Sequence, residues 1–314
     1  MTKKLVLALS GGVGGAKLAL GLSRVLPPEE LLIVANTGDD FEHLGLSISP
    51  DIDTLTYTLS GLSNEQLGWG RRDETWSFME TLASIGGETW FRLGDRDLAL
   101  HVERTRRLKA GETLSAITDD IRRRLGIAVR LLPMSDDPVR TKLHGDAGWI
   151  DFQDYFVRQQ CRPVVHELRF EGAEAATPQP DFLAALASAD LRCVIICPSN
   201  PFISVEPILA LPGLRAALAA CRAPVVAVSP IIGGKAVKGP TAKMMAELGL
   251  EPSAAEVARR YGALLDGYVI DHADAAQAAD LGPRVTVTQT LMTTLEDRKN
   301  LAQQALDLAD AING

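Results

Sequence analysis

Seven short apolar runs mark this chain: Leu5 to Leu9, Leu31 to Ala35, Ile127 to Leu132, Cys193 to Cys197, Val225 to Val228, Gly267 to Ile270 and Val285 to Val287. Near-continuous Val, Ile and Leu without polar alternation is the signature of strands covered on both faces. Between several of them lie apolar residues at helical spacing, including Ala16 to Val25, Pro212 to Ala220, Thr241 to Leu248 and Leu295 to Ile312. Parallel strands need a crossover of a dozen or more residues, usually a helix, so this alternation predicts a sheet with helices on both faces. We therefore expect an α/β protein with a doubly wound, mostly parallel, Rossmann-like sheet.

The alternation breaks once. Residues 51–125 carry helix-like patterns only, which predicts a mainly helical insertion within one α/β domain spanning 1–314. After it, Val139 to Gln159 reads as a hairpin around His144-Gly145-Asp146-Ala147-Gly148. Thr177-Pro178-Gln179-Pro180 reads either as a linker or as a surface loop of one domain.

Charge narrows the partners. With 32 Lys and Arg against 40 Asp and Glu the formal net charge is -8, which argues against nucleic acid or an anionic membrane. The basic clusters Arg104-Thr105-Arg106-Arg107 and Arg122-Arg123-Arg124 read as solvated helix faces. No stretch approaches the roughly 20 apolar residues that span a bilayer. The first strand begins almost at Met1, with no long apolar stretch before it, so a cytoplasmic protein is expected. Cys161, Cys193, Cys197 and Cys221 form no Cys-x-x-Cys pair and read as core residues. Histidines at 43, 101, 144, 166 and 272 show no zinc spacing, and no Gly-x-Ser-x-Gly elbow is present.

The first apolar run ends in Ser10-Gly11-Gly12-Val13-Gly14-Gly15-Ala16-Lys17, opening a helix. Glycines let backbone N–H groups approach an anion without Cβ interference, and the helix N-terminus behind them is partly positive. A Walker loop would need Gly-Lys-Ser/Thr, and the dinucleotide fingerprint wants Gly or Ala where Lys17 stands, so neither template is met. The other reading is a tight strand-to-helix turn without a ligand.

Carboxylates follow at the next strand end, in Asn36-Thr37-Gly38-Asp39-Asp40, and again in Ser49-Pro50-Asp51-Ile52-Asp53-Thr54. Each of Asp51 and Asp53 reads equally as a first-turn capping residue. Four carboxylates near a phosphate loop also suit a hard divalent cation, since Mg²⁺ takes one or two carboxylates plus phosphate oxygens. Trp69 to Trp76 and Trp90 to Asp97 offer aromatic and cationic groups for a planar ring, or else a helical core and surface ion pairs. Ser199-Asn200 and Ser229 to Lys235 follow further apolar runs, at the strand ends where ligands bind in such sheets.

Seven of these motifs occur together and in order. Ser10-Gly-Gly-Val-Gly-Gly-Ala-Lys17, Asn36-Thr-Gly-Asp-Asp40, Ser49-Pro-Asp-Ile-Asp-Thr54, Gly68-Trp-Gly-Arg-Arg-Asp-Glu-Thr-Trp76, Trp90-Phe-Arg-Leu-Gly-Asp-Arg-Asp97, Leu132-Pro-Met-Ser-Asp-Asp137 and Ser199-Asn-Pro-Phe-Ile-Ser204 resemble the 2-phospho-L-lactate transferase family of coenzyme F-420 biosynthesis. That resemblance runs nearly end to end. It implies transfer of a phospholactyl-type group from a guanosine diphosphate conjugate to the ribityl hydroxyl of the deazaflavin Fo, with Mg²⁺ required and GMP released. It places Gly11, Gly12, Gly14, Gly15 and Lys17 against the nucleotide, with Ser199 and Asn200 bordering it. Asp53 and Arg92 are implied contacts to the deazaflavin, Asp40 and Asp53 implied metal ligands, and residues 51–125 an implied substrate-binding insertion.

The resemblance also leans towards a homodimer. No general base is assigned, and phospholactate, phosphoenolpyruvate and phosphoglycerate stay open as the transferred group. An Asp53→Asn variant is expected to keep its fold, on the reading that this position lines a solvated site. Two other classes remain: a nucleotide-dependent oxidoreductase and a regulatory protein that binds a nucleotide without chemistry.

Overall fold

All seven apolar runs lie in one sheet. Its strands are β1 (Leu5–Ser10), β2 (Leu31–Ala35), β3 (Arg130–Pro133), β4 (Leu191–Ile196), β5 (Val225–Val228), β6 (Gly267–Asp271) and β7 (Arg284–Thr288). The structure, a computed structural model, describes residues 4–314. Across the sheet the strands run β7-β6-β5-β4-β1-β2-β3, and every neighbouring pair is parallel. Read from the other edge this is 3-2-1-4-5-6 with a seventh strand added, the doubly wound order. Winding reverses between β1 and β4, where Leu9 pairs with Ile196.

Alternate strand residues feed the two faces. Leu7, Leu9, Leu32, Val34, Val194 and Ile196 pack on one side, and Val6, Ala8, Leu31, Ile33, Cys193 and Ile195 on the other. Cys193 and Cys197 are core residues, whereas Cys161 and Cys221 are only half-buried; all four are free thiols. On the second face α1 (Gly12–Val25) packs against α2 (Pro50–Leu59) and α6 (Leu295–Asn313). A Cβ on Gly21 would stand 2.1 Å from the Arg298 carbonyl oxygen, so glycine sets how closely α1 and α6 cross.

Between β2 and β3 the chain forms α2, α3 (Ser77–Ser84), α4 (Asp95–Lys109) and α5 (Leu114–Arg124). Ile52, Leu55 and Leu59 of α2 belong to the core beside the sheet. A separate small core of Ile48, Met79 and Leu93 is covered by Phe41, Trp76, Phe78 and Phe91.

Arg140–Gly145 and Gly148–Asp151 form the expected antiparallel hairpin, but the chain then leaves the strand and enters a helical turn at Asp154–Arg158. Glu167–Glu171 adds a third strand on the other side of Arg140–Gly145. Thr177 to Pro180 runs into the helix Pro180–Ala187, which Gln179 caps by accepting the Asp181 and Phe182 N–H groups. Among the described residues no helix is long and apolar enough to cross a membrane.

Candidate active site

The glycine turn lies at the reversal between β1 and β4, at the carboxyl edge of the sheet where ligands of such folds bind. The helix begins earlier than the apolar pattern suggests. Gly11 is its extended N-cap and Gly12, Gly14 and Gly15 form its first turn. Gly11 N–H donates to Ser199 Oγ at 3.1 Å, and that hydroxyl donates back to the Gly11 carbonyl at 2.8 Å, which latches β1 to the loop after β4. Asn200 Oδ1 accepts the Phe202 and Ile203 N–H groups and so caps the turn at Pro201–Val205.

Three of the four glycines are demanded by neighbouring protein atoms. A Cβ on Gly14 would lie 2.4 Å from the Pro198 carbonyl oxygen, and one on Gly15 2.6 Å from both Ser10 Oγ and Ser199 Oγ. On Gly11 it would meet Asp51 Oδ2 and the Ser204 Cβ at 2.6 Å. Gly12 differs: its φ is +64°, and the nearest atom to an added Cβ is Ser204 Oγ at 3.9 Å. Lys17, one turn on, donates from Nζ to the Met292 carbonyl at 2.9 Å.

Asp51 ties this turn to the second strand end. Its Oδ1 accepts the Gly12 N–H at 2.5 Å and its Oδ2 accepts the Asn36 amide at 2.9 Å. The same Asn36 amide reaches the Ile203 carbonyl, and Asn36 Oδ1 accepts the Gly38 N–H. Asp39, Asp40 and Asp51 are all buried. Burial pushes Asp51 up to about 6 against the hydrogen bonds from Asn36 and Gly12, and Asp40 up to about 7 against the pull of Arg140 and Ser49. Asp39 is held well above the usual carboxylate range by burial, then by Asp51 and Asp40. Asp40 Oδ2 accepts from Ser49 Oγ at 2.8 Å, while Asp40 Oδ1 is buried with no hydrogen-bond partner among the described residues. The bare Asp40 oxygen and the oxygen-only side chains around it suit a hard divalent cation that takes its remaining ligands from phosphate oxygens.

Asp53 belongs to a second network. Arg104 Nη1 donates to Asp53 Oδ2 at 3.1 Å and Nη2 to Oδ1, a bidentate pair buried with both partners. His101 Nδ1 lies 3.7 Å from Asp53 Oδ2 and its Nε2 lies 3.2 Å from Asp97 Oδ2, while the Tyr57 hydroxyl donates to Asp97. Arg104 is therefore not on a solvated face: its residue is 2% exposed and Asp53 is 5% exposed. Asp40 and Asp53 do not make a ligand set with a third side chain. Among the described residues no three His, Cys, Asp or Glu groups converge as metal ligands, and both Asp53 oxygens face Arg104. The expected solvent-lined Asp53 is corrected accordingly.

Arg92 stacks on Trp76, its guanidinium carbon 4.1 Å from the ring centroid. Nearby, Phe41, His43, Trp90 and Phe91 form an aromatic cluster with centroid spacings of 4.8 to 6.2 Å. Sequence reading left out Arg140, the cation beside Asp39 and Asp40, and the Arg104–His101 pair. The pair had a signal: 97, 101 and 104 share one face of α4.

In chemical terms, the carboxyl edge brings backbone donors of a helix N-terminus, hard oxygen donors and a buried guanidinium into one region, as phosphoryl-group chemistry requires. Comparison with known proteins agrees. The family described as 2-phospho-L-lactate transferase CofD matches residues 6–307. A phosphoenolpyruvate transferase of Streptomyces griseus is 43% identical over 98% of this chain and 99% of its own. One of Mycobacterium bovis BCG is 38% identical over 98% and 99%. Among solved structures, a upf0052 family protein of Bacillus halodurans has the same fold, with a TM-score of 0.66 at 14% identity over 98% of this chain and 99% of that one. With the family match covering nearly its whole length, this chain belongs to the 2-phospho-L-lactate transferase CofD family and is a transferase of that type.

Proposed function

We propose that the chain transfers an enolpyruvyl phosphate group from its guanosine diphosphate conjugate to the ribityl hydroxyl of Fo, releasing GMP, in coenzyme F-420 biosynthesis. The choice among three-carbon groups rests on the relatives, which are named phosphoenolpyruvate transferases. The observation that carries the reaction class is the juxtaposition of Gly12, at the α1 N-terminus, with the buried Asp51, Asn36, Asp39 and Asp40 group.

In this reading the hydroxyl oxygen attacks the phosphorus bearing the three-carbon group in line with the departing GMP oxygen. One P–O bond forms, one breaks and a proton is released. Positioning and charge neutralisation dominate such a transfer. Asp40, whose Oδ1 has no protein partner among the described residues, would hold Mg²⁺ together with phosphate oxygens of the substrate, and the ion would neutralise the diphosphate charge. Arg104 takes both oxygens of the Asp53 carboxylate, so a contact from Asp53 to the deazaflavin would require that pair to open. Arg92 on Trp76 and the Phe41–Trp90 cluster offer flat surfaces for its ring, and residues 51–125 serve as the substrate-binding insertion.

The test is turnover of Fo with Mg²⁺ and, separately, the enolpyruvyl, lactyl and glyceryl guanosine diphosphate conjugates, following product mass and GMP. Product from the enolpyruvyl conjugate supports the full reading. Product from another conjugate alone corrects the donor, and none from any removes the reading. Asp40→Asn is expected to lower turnover by at least about a hundredfold, since positioned charge stabilisation is worth that much.

A further inference from the structure

Arg140 and Glu171 stand directly opposite each other on neighbouring antiparallel strands, Arg140–Gly145 and Glu167–Glu171. Opposite charges so placed ordinarily pair. Here they do not: Glu171 Oε2 lies 3.6 Å from Lys142 Nζ and its Oε1 3.4 Å from Arg169 Nη2, while Arg140 enters no ion pair among the described residues. Among those residues the only hydrogen bond of its guanidinium runs from Nη1 to the Val139 carbonyl at 2.8 Å, which leaves most of the donor fork unspent.

The backbone carries that guanidinium to the carboxyl edge of the main sheet. Thr141 N–H donates to the Gly38 carbonyl at 2.6 Å, and the Gln153 amide to the Asp39 carbonyl at 3.2 Å. The strand therefore starts against the turn that bears Asp39 and Asp40. Burial raises the Asp40 carboxyl, and the charge of Arg140 is the strongest influence against it. Yet Arg140 closes an ion pair with neither carboxylate. In the same turn the Thr37 hydroxyl is buried without a partner, a second unused donor.

An arginine half-buried beside an acidic turn, carried there by its strand and unpaired, is placed to take an anion from a ligand. Its planar fork matches a carboxylate bidentately. The enolpyruvyl and lactyl groups both carry a carboxylate on the carbon bonded to the ester oxygen, so it travels with the phosphate that Asp40 would help to hold. We infer that Arg140 recognises the carboxylate of the transferred three-carbon group and so makes the chain select an acidic donor over a neutral phosphate ester. This assignment rests on the transferase reading above. It does not separate enolpyruvyl from lactyl, which share the carboxylate.

Isothermal titration of the full chain with the lactyl guanosine diphosphate conjugate, its methyl ester and GDP tests this, because the ester masks the charge and keeps the rest of the group. The parent is expected to bind the acid at least about tenfold more tightly than the ester, the worth of a charged hydrogen bond. Arg140→Met should abolish that preference with GDP still bound, and Arg140→Lys, which keeps a point charge without the fork, should restore part of it. The acid-to-ester ratio is the readout, since removing Arg140 also removes its pull on Asp40 and weakens every diphosphate alike. Where Arg140→Met fails to bind GDP, Arg140→Gln decides in the same way. A parent that binds acid and ester equally, or a neutral variant that keeps the preference, overturns the assignment. Turnover of Fo by the parent with an unchanged ratio in the variant removes the role of Arg140 and keeps the transferase reading. A ratio lost in the variant without turnover of Fo by the parent does the reverse.

Discussion

Asp51 accepts the Gly12 N–H at 2.5 Å, so a carboxylate of the protein holds a backbone donor at the helix N-terminus where a phosphate would bind. The same side chain takes the Asn36 amide at 2.9 Å, which makes it the joint between the first two strand ends. Asp51→Ala leaves both donors without their acceptor in a buried setting. It should lower stability by about 1–3 kcal/mol in denaturant unfolding, while Asp51→Asn, which keeps an acceptor oxygen, should lose less. Equal losses in the two variants would show that the Gly12 and Asn36 bonds are not what the carboxylate contributes.

Gly14 separates two roles that the glycine turn was expected to combine. Its missing Cβ leaves space for the Pro198 carbonyl. Gly14→Ala must push the loop after β4 away, at about 1–3 kcal/mol. Gly12→Ala meets no atom closer than 3.9 Å and is strained only by its φ of +64°, a cost of about 1–2 kcal/mol. Thermal unfolding of the two variants, with a crystal structure of Gly14→Ala to locate the displaced Pro198, measures the difference.

How much of this was legible follows from the range of each signal. The sheet was readable because strands buried on both faces leave near-continuous apolar runs, and helices between them dictate parallel pairing. Glu167–Glu171 was missed because its burial alternates: Leu168 and Phe170 are half-buried between exposed charges, and so short an alternation resembles a loop. Arg104 was misread because Arg106 and Arg107 dominate the local composition. Its partner Asp53 lies 51 positions away, a distance no local pattern carries. The candidate site residues of the glycine turn and the Asp pairs were legible as motifs. That Ser199 latches Gly11, and that Asp53 faces Arg104 beside Asp40, are relations of folded space.

The Asp53–Arg104 pair predicts a specific failure. Breaking a buried, bidentate ion pair leaves an uncompensated charge, so Asp53→Asn or Arg104→Leu should each destabilise the chain by about 3–5 kcal/mol. The double variant should lose clearly less than the sum, and a double-mutant cycle reads the coupling. Additive losses would sink the pairing. Arg106→Ala, whose partner Glu103 is likewise exposed, should change stability by less than about 1 kcal/mol.

Acid should act through Asp271. Burial raises its pKa, but the Thr290 N–H and the Ala273 N–H, with the Thr290 hydroxyl, outweigh it and leave the carboxyl below its usual range. A lowered folded-state pKa gives stability that is present above the unfolded value, about 4, and is lost as pH falls through the folded one. Asp271→Asn should therefore unfold more readily than the parent at pH 7, with the gap closing between about pH 5 and pH 3. A gap that stays constant over that range would exclude the charge as its source.

Gly21 against the Arg298 carbonyl, and Lys17 reaching Met292 across 275 positions, have a consequence for the newborn chain. On the ribosome the glycine turn emerges early, but the helix that fixes its flank is synthesised only after nearly all the rest. The first strand and helix must wait with one apolar face uncovered, the interval in which a chaperone would find them. Nucleotide added during translation should therefore protect full-length chains and not ones stalled before residue 290.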